Sequence, residues 1–176
     1  MMTVNSTGVV RRTNAPAYIN VMDLTGTAAI AAGSIATTAS ASTSGSTTTK
    51  IYTITFTLAR ASLLLVDAVV AVKNITTTAG AAITDGSPRM VKSYWQFSTG
   101  TNRYGASSTV YTNAVSDTQN LSGIFDNNNG FNTILAAGTY TLDLYILTGC
   151  SSNRNFTVTY GSDISDRISV KAVQLQ

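Results

Sequence analysis

Every acidic residue in this chain is an aspartate, eight in all, and the sequence contains neither glutamate nor histidine. That narrows the available chemistry. Histidine is the side chain whose unperturbed pKa lies nearest neutrality, so nucleophilic triads, histidine general bases and His-bearing zinc sites are excluded. An Asp-only or Lys-based site is what remains, and no spacing sets a cluster of aspartates beside a nucleophile. Cys150 is the single cysteine, so no internal disulfide can form. It lies in Thr148-Gly149-Cys150-Ser151, which reads as a turn. Without a His to activate it, a buried inert thiol is favoured over a reactive one. No cofactor is implied.

Asp126-Asn127-Asn128-Asn129-Gly130 and the Asp163–Asp166 stretch carry oxygen ligands of the kind that hold calcium. The bidentate Glu of an EF-hand loop is missing, however, and both segments read as turns. Aromatic residues offer a different function. Tyr94, Tyr104 and Tyr111, with Arg103 exposed beside Tyr104, would make a sugar- or protein-binding surface, because Tyr combines rigid area with a polar tip. Core packing is the competing role for these tyrosines and the favoured one for Trp95.

Eleven Lys and Arg against eight Asp leave a formal charge of +3. The basic residues are scattered, and Arg11-Arg12 is the only adjacent pair. Nucleic-acid binders show a basic stripe with interleaved aromatics, so no nucleic-acid partner is expected. Only 11% of residues are charged, against roughly 25% in ordinary soluble domains; Ser, Thr, Ala and Asn make up the surface instead. No run of 18 apolar residues exists, so no membrane insertion is expected. The stretch from Ala28 to Ala41 resembles a signal peptide only faintly, being interrupted by Ser and Thr, and no cleavage is expected.

These residues need a scaffold, and the apolar pattern supplies one. Residues 1–50 read as an extended arm with a linker. Val9, Val10, Arg11, Arg12 and Tyr18 are the arm's contact residues, and residues 25–50 are low-complexity Ala/Ser/Thr/Gly sequence. Such a segment buries too little to fold alone. It is either flexible or ordered against a partner through Ile30 and Ile35.

From residue 51 to 176 the period is two. Tyr52, Ile54, Phe56 and Leu58 alternate with threonines, and Tyr140, Leu142, Leu144 and Ile146 do the same after a turn at Ala136-Ala137-Gly138. Met90–Phe97, Phe156–Tyr160 and Ile168–Ala172 add further strands, and Tyr104–Val115 holds a weaker one. Leu63–Val72 is apolar on both faces apart from Asp67, which reads as a central strand. If one face covers the core, Leu63, Leu65 and Val69 need cover too, either from Ala/Thr segments of the same chain or from another subunit. Strands at this spacing without amphipathic helices predict an all-β antiparallel sandwich.

The segment Leu135-Ala136-Ala137-Gly138-Thr139-Tyr140-Thr141-Leu142 resembles the hairpin of C1q/TNF-like jelly rolls, where a small-residue corner precedes a core-plugging Tyr. Arg167–Val173 is similar to their closing strand. Jelly rolls of this kind form compact trimers behind a small-residue arm in phage head fibres, capsid decoration proteins and tail-fibre tips. The resemblance implies a non-enzymatic homotrimer on a virion, with Leu63, Leu65 and Val69 at the threefold axis. Residues 1–50 would bind a capsid or other virion protein, and the head would be free to meet a host-surface glycan.

Overall fold

The computed structural model describes residues 2–4, 10–12, 17–112 and 125–175. In chain order the strands are β1 (Met2–Val4), β2 (Val10–Arg12), β3 (Tyr18–Thr25), β4 (Gly33–Thr37), β5 (Gly45–Leu58), β6 (Ser62–Thr76), β7 (Arg89–Phe97), β8 (Tyr104–Tyr111), β9 (Phe125–Leu135), β10 (Gly138–Cys150), β11 (Phe156–Tyr160) and β12 (Arg167–Gln174). The only helical turn among the described residues is a 3-10 turn at Gly26–Ala28.

Apart from the small β1–β2 ladder, the strands form a four-stranded sheet, β5-β10-β7-β8, and a six-stranded sheet, in which β3-β12-β6 continues to β11 and β4 while β9 also pairs β6. All pairs are antiparallel. Partners nest inward from the ends of the chain: β3 with β12, β5 with β10, β6 with β9 and β7 with β8. That is the order of a jelly roll, and the expected all-β sandwich is what the chain forms.

Alternation places the core. Leu64, Val66, Ala68 and Val70 of β6 face inward, opposite Ile54, Phe56 and Leu58 of β5 and Leu142, Leu144 and Ile146 of β10, all buried. Trp95 is completely buried among them.

The head begins well before residue 51. β3 pairs with β12 from Tyr18↔Val173 to Thr25↔Arg167, and β4 pairs with β11. Ile30 and Ile35 are buried in the same core. Residues 25–50 are thus ordered by their own chain rather than by a partner. Their small side chains hide how much β-ladder they form, because ladder bonds come from the backbone.

Three turn readings also change. Asp126–Gly130 lies inside β9, with Asn127 and Asn129 buried. Thr148–Cys150 is the end of β10. The segment at Ala136–Gly138 is not a hairpin. It is a corner at which the chain leaves the six-stranded sheet (β9 on β6) and enters the four-stranded one (β10 on β5). Tyr140 does pack at that corner, against Phe56 and Phe97, and its hydroxyl donates to the Ala136 carbonyl.

The two sheets come closest where β8 meets β9. Thr109 Oγ1 donates to Asn127 Oδ1 at 2.8 Å and Asn129 Nδ2 donates to Ser93 Oγ at 2.7 Å. Gly105 sits at the contact with φ +57, and a Cβ there would lie 2.7 Å from the Gly130 carbonyl oxygen. Both the backbone conformation and the space demand glycine. Gly105→Ala is therefore expected to cost about 2 kcal/mol or more in urea denaturation. Gly100→Ala, whose Cβ would meet only a carbonyl at 3.9 Å, should stay within about 0.5 kcal/mol of the unaltered chain.

Candidate functional site

The outer face of the six-stranded sheet is the first candidate. On β6, Leu63, Leu65 and Val69 alternate with the buried core row and stay half-buried on the outside, with Asp67 in the same file. Residues directly opposite in an antiparallel pair share a face, so the register defines cross-strand rows. Tyr18, Val173, Leu63 and Ile134 form one apolar row spanning four strands. Tyr18 is 61% and Ile134 65% exposed. The next rows are polar: Lys171 and Asn132 flank Leu65, Ser169 and Gly130 flank Asp67, and Arg167 and Asn128 flank Val69. Because Gly130 offers no side chain opposite Asp67, an open depression of about 450 Å³ lies there, lined by Leu65, Asp67, Gly130, Asn132, Arg167 and Lys171.

Tyr18 thus belongs to the sandwich rather than to an arm. Val10, Arg11 and Arg12 lie in β2, and Val9 falls outside the described residues. Leu63 and Leu65 were legible as outward residues from alternation alone. Tyr18, Val173 and Ile134 were not, since only the register brings them together.

The tyrosines expected to form an exposed aromatic surface are packed into the fold instead. Tyr94 is 2% exposed, beneath Arg103, whose guanidinium carbon lies 4.5 Å from the Tyr94 ring centre. Tyr104 turns into the seam and stacks on Phe131 at 4.9 Å, and Tyr111 is buried. These rings have packing partners within the fold, so Arg103 alone of the four is exposed. Tyr104 and Tyr111 lie on the core side of β8, whereas Tyr94 points outward from β7 and is covered there by Tyr145 and Arg103.

The outer face of the four-stranded sheet is the second candidate. Lys50, Tyr145 and Tyr94 are successive partners across β5, β10 and β7. The two tyrosine rings are stacked at 5.4 Å with an interplanar angle of 15°. Lys92 lies two residues from Tyr94, opposite Leu147 and Ser108. Among the described residues the carboxylate near this row is Asp143, buried where a strand face would ordinarily be polar and open. It accepts hydroxyl bonds from Thr53 and Ser98, each at 2.6 Å, and lies 3.6 Å from Lys50 Nζ. Burial works to raise its pKa, but the two hydroxyls and Lys50 outweigh that and hold it below the usual carboxylate range.

The remaining aspartates serve the scaffold. Asp166 fills a gap in the ladder beside β6, with Oδ1 accepting the Ala71 N–H and Oδ2 the Asp163 N–H, both at 2.8 Å. Burial pushes its pKa up, against these bonds. Asp163 pairs with Lys73 at 2.8 Å, and that contact with the Ser165 N–H holds it down at about 2. Asp85 makes a two-pronged contact with the buried Arg89 and also meets Arg154. Arg89 is the chief cause of its lowered pKa. Cys150 is a buried free thiol. Among the described residues no group of three or more Cys or Asp is placed to hold a metal, and no helix is long and apolar enough to cross a membrane.

No family model matches the chain, and no curated protein does. Among solved structures, the infectious bursal disease virus Gx strain matches at 13% identity and TM-score 0.36, covering 91% of this chain and 39% of that one. The Gt strain of the same virus matches at 11% and 0.35, over 100% and 42%. The VP2 subviral particle of that virus matches at 11% and 0.33, over 94% and 43%. The chain spans about two fifths of the length of these proteins. Scores and identities this low assign neither a family nor a function.

Asp143→Asn should be less stable than the unaltered chain by about 2 kcal/mol at pH 7, because a buried charged acceptor of two hydroxyls is lost. A carboxylate with a depressed folded pKa stabilises above its unfolded pKa and loses that contribution as pH falls. The gap between the two proteins should therefore close below about pH 4, in denaturation curves taken as a function of pH. A gap that is unchanged at low pH would show that Asp143 acts through packing alone.

Proposed function

We propose that this chain is a non-enzymatic structural protein of a virion. It assembles with itself as a homotrimer and meets a capsid or other virion protein through its N-terminal arm. The observation that carries this reading is the apolar row Tyr18–Val173–Leu63–Ile134, which crosses four strands on an outer sheet face. A monomer gains nothing by keeping Ile134 65% exposed beside Leu63 and Val173, whereas a subunit contact removes that area from water. Support also comes from the jelly-roll order, from the corner at Ala136–Tyr140 and from aspartates engaged in hydrogen bonds and ion pairs instead of converging on a cleft.

Two measurements test it. Light scattering at micromolar concentration should give about three times the 18.4 kDa of one chain. Leu63→Asp or Ile134→Asp should reduce that to one, while Thr57→Asp on the opposite sheet leaves it unchanged. A single-chain mass for the unaltered protein overturns the reading.

The arm is tested by truncation. Removing residues 1–16 should leave a folded head that no longer attaches to its particle. Removing residues 1–50 should unfold it, because β3, β4 and the first part of β5 go too. Circular dichroism and particle co-sedimentation distinguish these outcomes.

A further inference from the structure

The two outer faces differ in charge. On the six-stranded sheet, Asp23 and Asp67 are the register partners of Ser169, which lies between Arg167 and Lys171 on β12, so the signs balance. On the four-stranded sheet, Lys50, Lys92 and Arg103 have, among the described residues, a single carboxylate near them, Asp143, 3.6 Å from Lys50 Nζ. That carboxylate is buried and already accepts from Thr53 and Ser98, which leaves the face cationic.

The cations are spaced. Lys50, Tyr145 and Tyr94 form a cross-strand row, and Arg103 covers its Tyr94 end. Lys50 reaches the stack from β5, and the Arg103 guanidinium lies over the Tyr94 ring, 4.5 Å from its centre. Around Lys50 and Tyr145 the face presents hydroxyls, while its apolar side chains, Leu147, Met90 and the exposed Val110, lie beside and beyond Lys92. Thr48, Thr53 and Ser108 are exposed, and Thr55–Thr141 and Thr57–Thr139 form hydroxyl pairs across β5 and β10.

We infer that the outer face of the four-stranded sheet binds an anionic polysaccharide, one bearing sulfate or carboxylate groups, through Lys50, Lys92 and Arg103. Each constraint selects the same ligand. A polyanion is required by the unbalanced charge. A polar, hydroxyl-bearing chain fits the Thr and Ser side chains around Lys50 and Tyr145, which supply hydrogen bonds. Arg103 already lies on a ring and is exposed, so its guanidinium is preorganised for a ligand anion. The half-buried Tyr145 edge offers a sugar ring a surface to rest on. The site lies on the sheet opposite the proposed subunit contact and does not depend on the oligomeric state.

The test uses the full chain and heparin as probe, followed by calorimetry at several salt concentrations. The unaltered protein should bind at low salt and weaken steeply as salt rises. Lys50→Gln/Lys92→Gln/Arg103→Gln should bind at least about tenfold more weakly and with a log–log salt slope smaller by about two to three, one per lost contact. Arg167→Gln/Lys171→Gln on the other sheet should change binding less than about twofold. Neutral dextran should not bind. No heparin binding by the unaltered protein, or equal losses in the two variants, overturns the site. Duplex DNA binding as tightly as heparin through the same three residues would show that the face reads charge alone, which overturns the sugar assignment. A single-chain mass in light scattering with heparin binding intact would remove the trimer and leave this inference standing.

Discussion

Strand β6 is held along both edges, by β12 and then β11 on one side and by β9 on the other. Its inner row, Leu64 to Val70, fills the centre of the core. A shift of one residue would exchange faces, sending those side chains to water and driving Asp67 inside without a counter-charge. That combination fixes the strand's register, and its neighbours inherit it. Leu63 and Leu65 must then stand outside, because the core has already taken the other parity. The exposed apolar row is a consequence of how the interior is filled.

The same parity rule accounts for the polar residues inside. Asn127 and Asn129 point inward because β9 pairs β6 without interruption from Phe125 to Leu135, and each asparagine bonds across the seam to β8 or β7. Such bonds are directional where apolar contacts are not, so they fix how the two sheets meet at Gly105. Asp166 plays a related role between β11 and β12, where a side-chain oxygen stands in for a missing backbone carbonyl opposite Ala71. A chain this poor in charge spends several of its aspartates on such structural bonds.

The outer faces diverge because each sheet's outward row was free to vary once its inward row was set. The six-stranded sheet carries apolar area with balanced charges, which suits contact with another copy. The four-stranded sheet carries hydroxyls and, around a ring stack, three cations against one buried carboxylate among the described residues, which suits a hydrated, negatively charged ligand. One molecule can then use opposite sides for assembly and for recognition.

Fold class and most strands from residue 51 onward were determined by the sequence alone, since period-two alternation and β-branched residues encode which side faces a core. It also determined that no histidine-based catalysis is available, and that Leu63 and Leu65 lie on the second face of an apolar strand. It did not determine residues 18–50, whose Ala, Ser and Thr carry no strong pattern. Their ladder is written in backbone hydrogen bonds and becomes visible only beside β11, β12 and β10. Nor did it determine Asp126–Gly130, where turn-forming residue types sit in a strand whose pairing with β6 runs unbroken and whose two buried asparagines each make one bond across the seam. Which aromatics are exposed, and which residues from four distant strands share one row, depend on strand order and register. Those are long-range pairings that local sequence does not encode, and only the tertiary structure decided them.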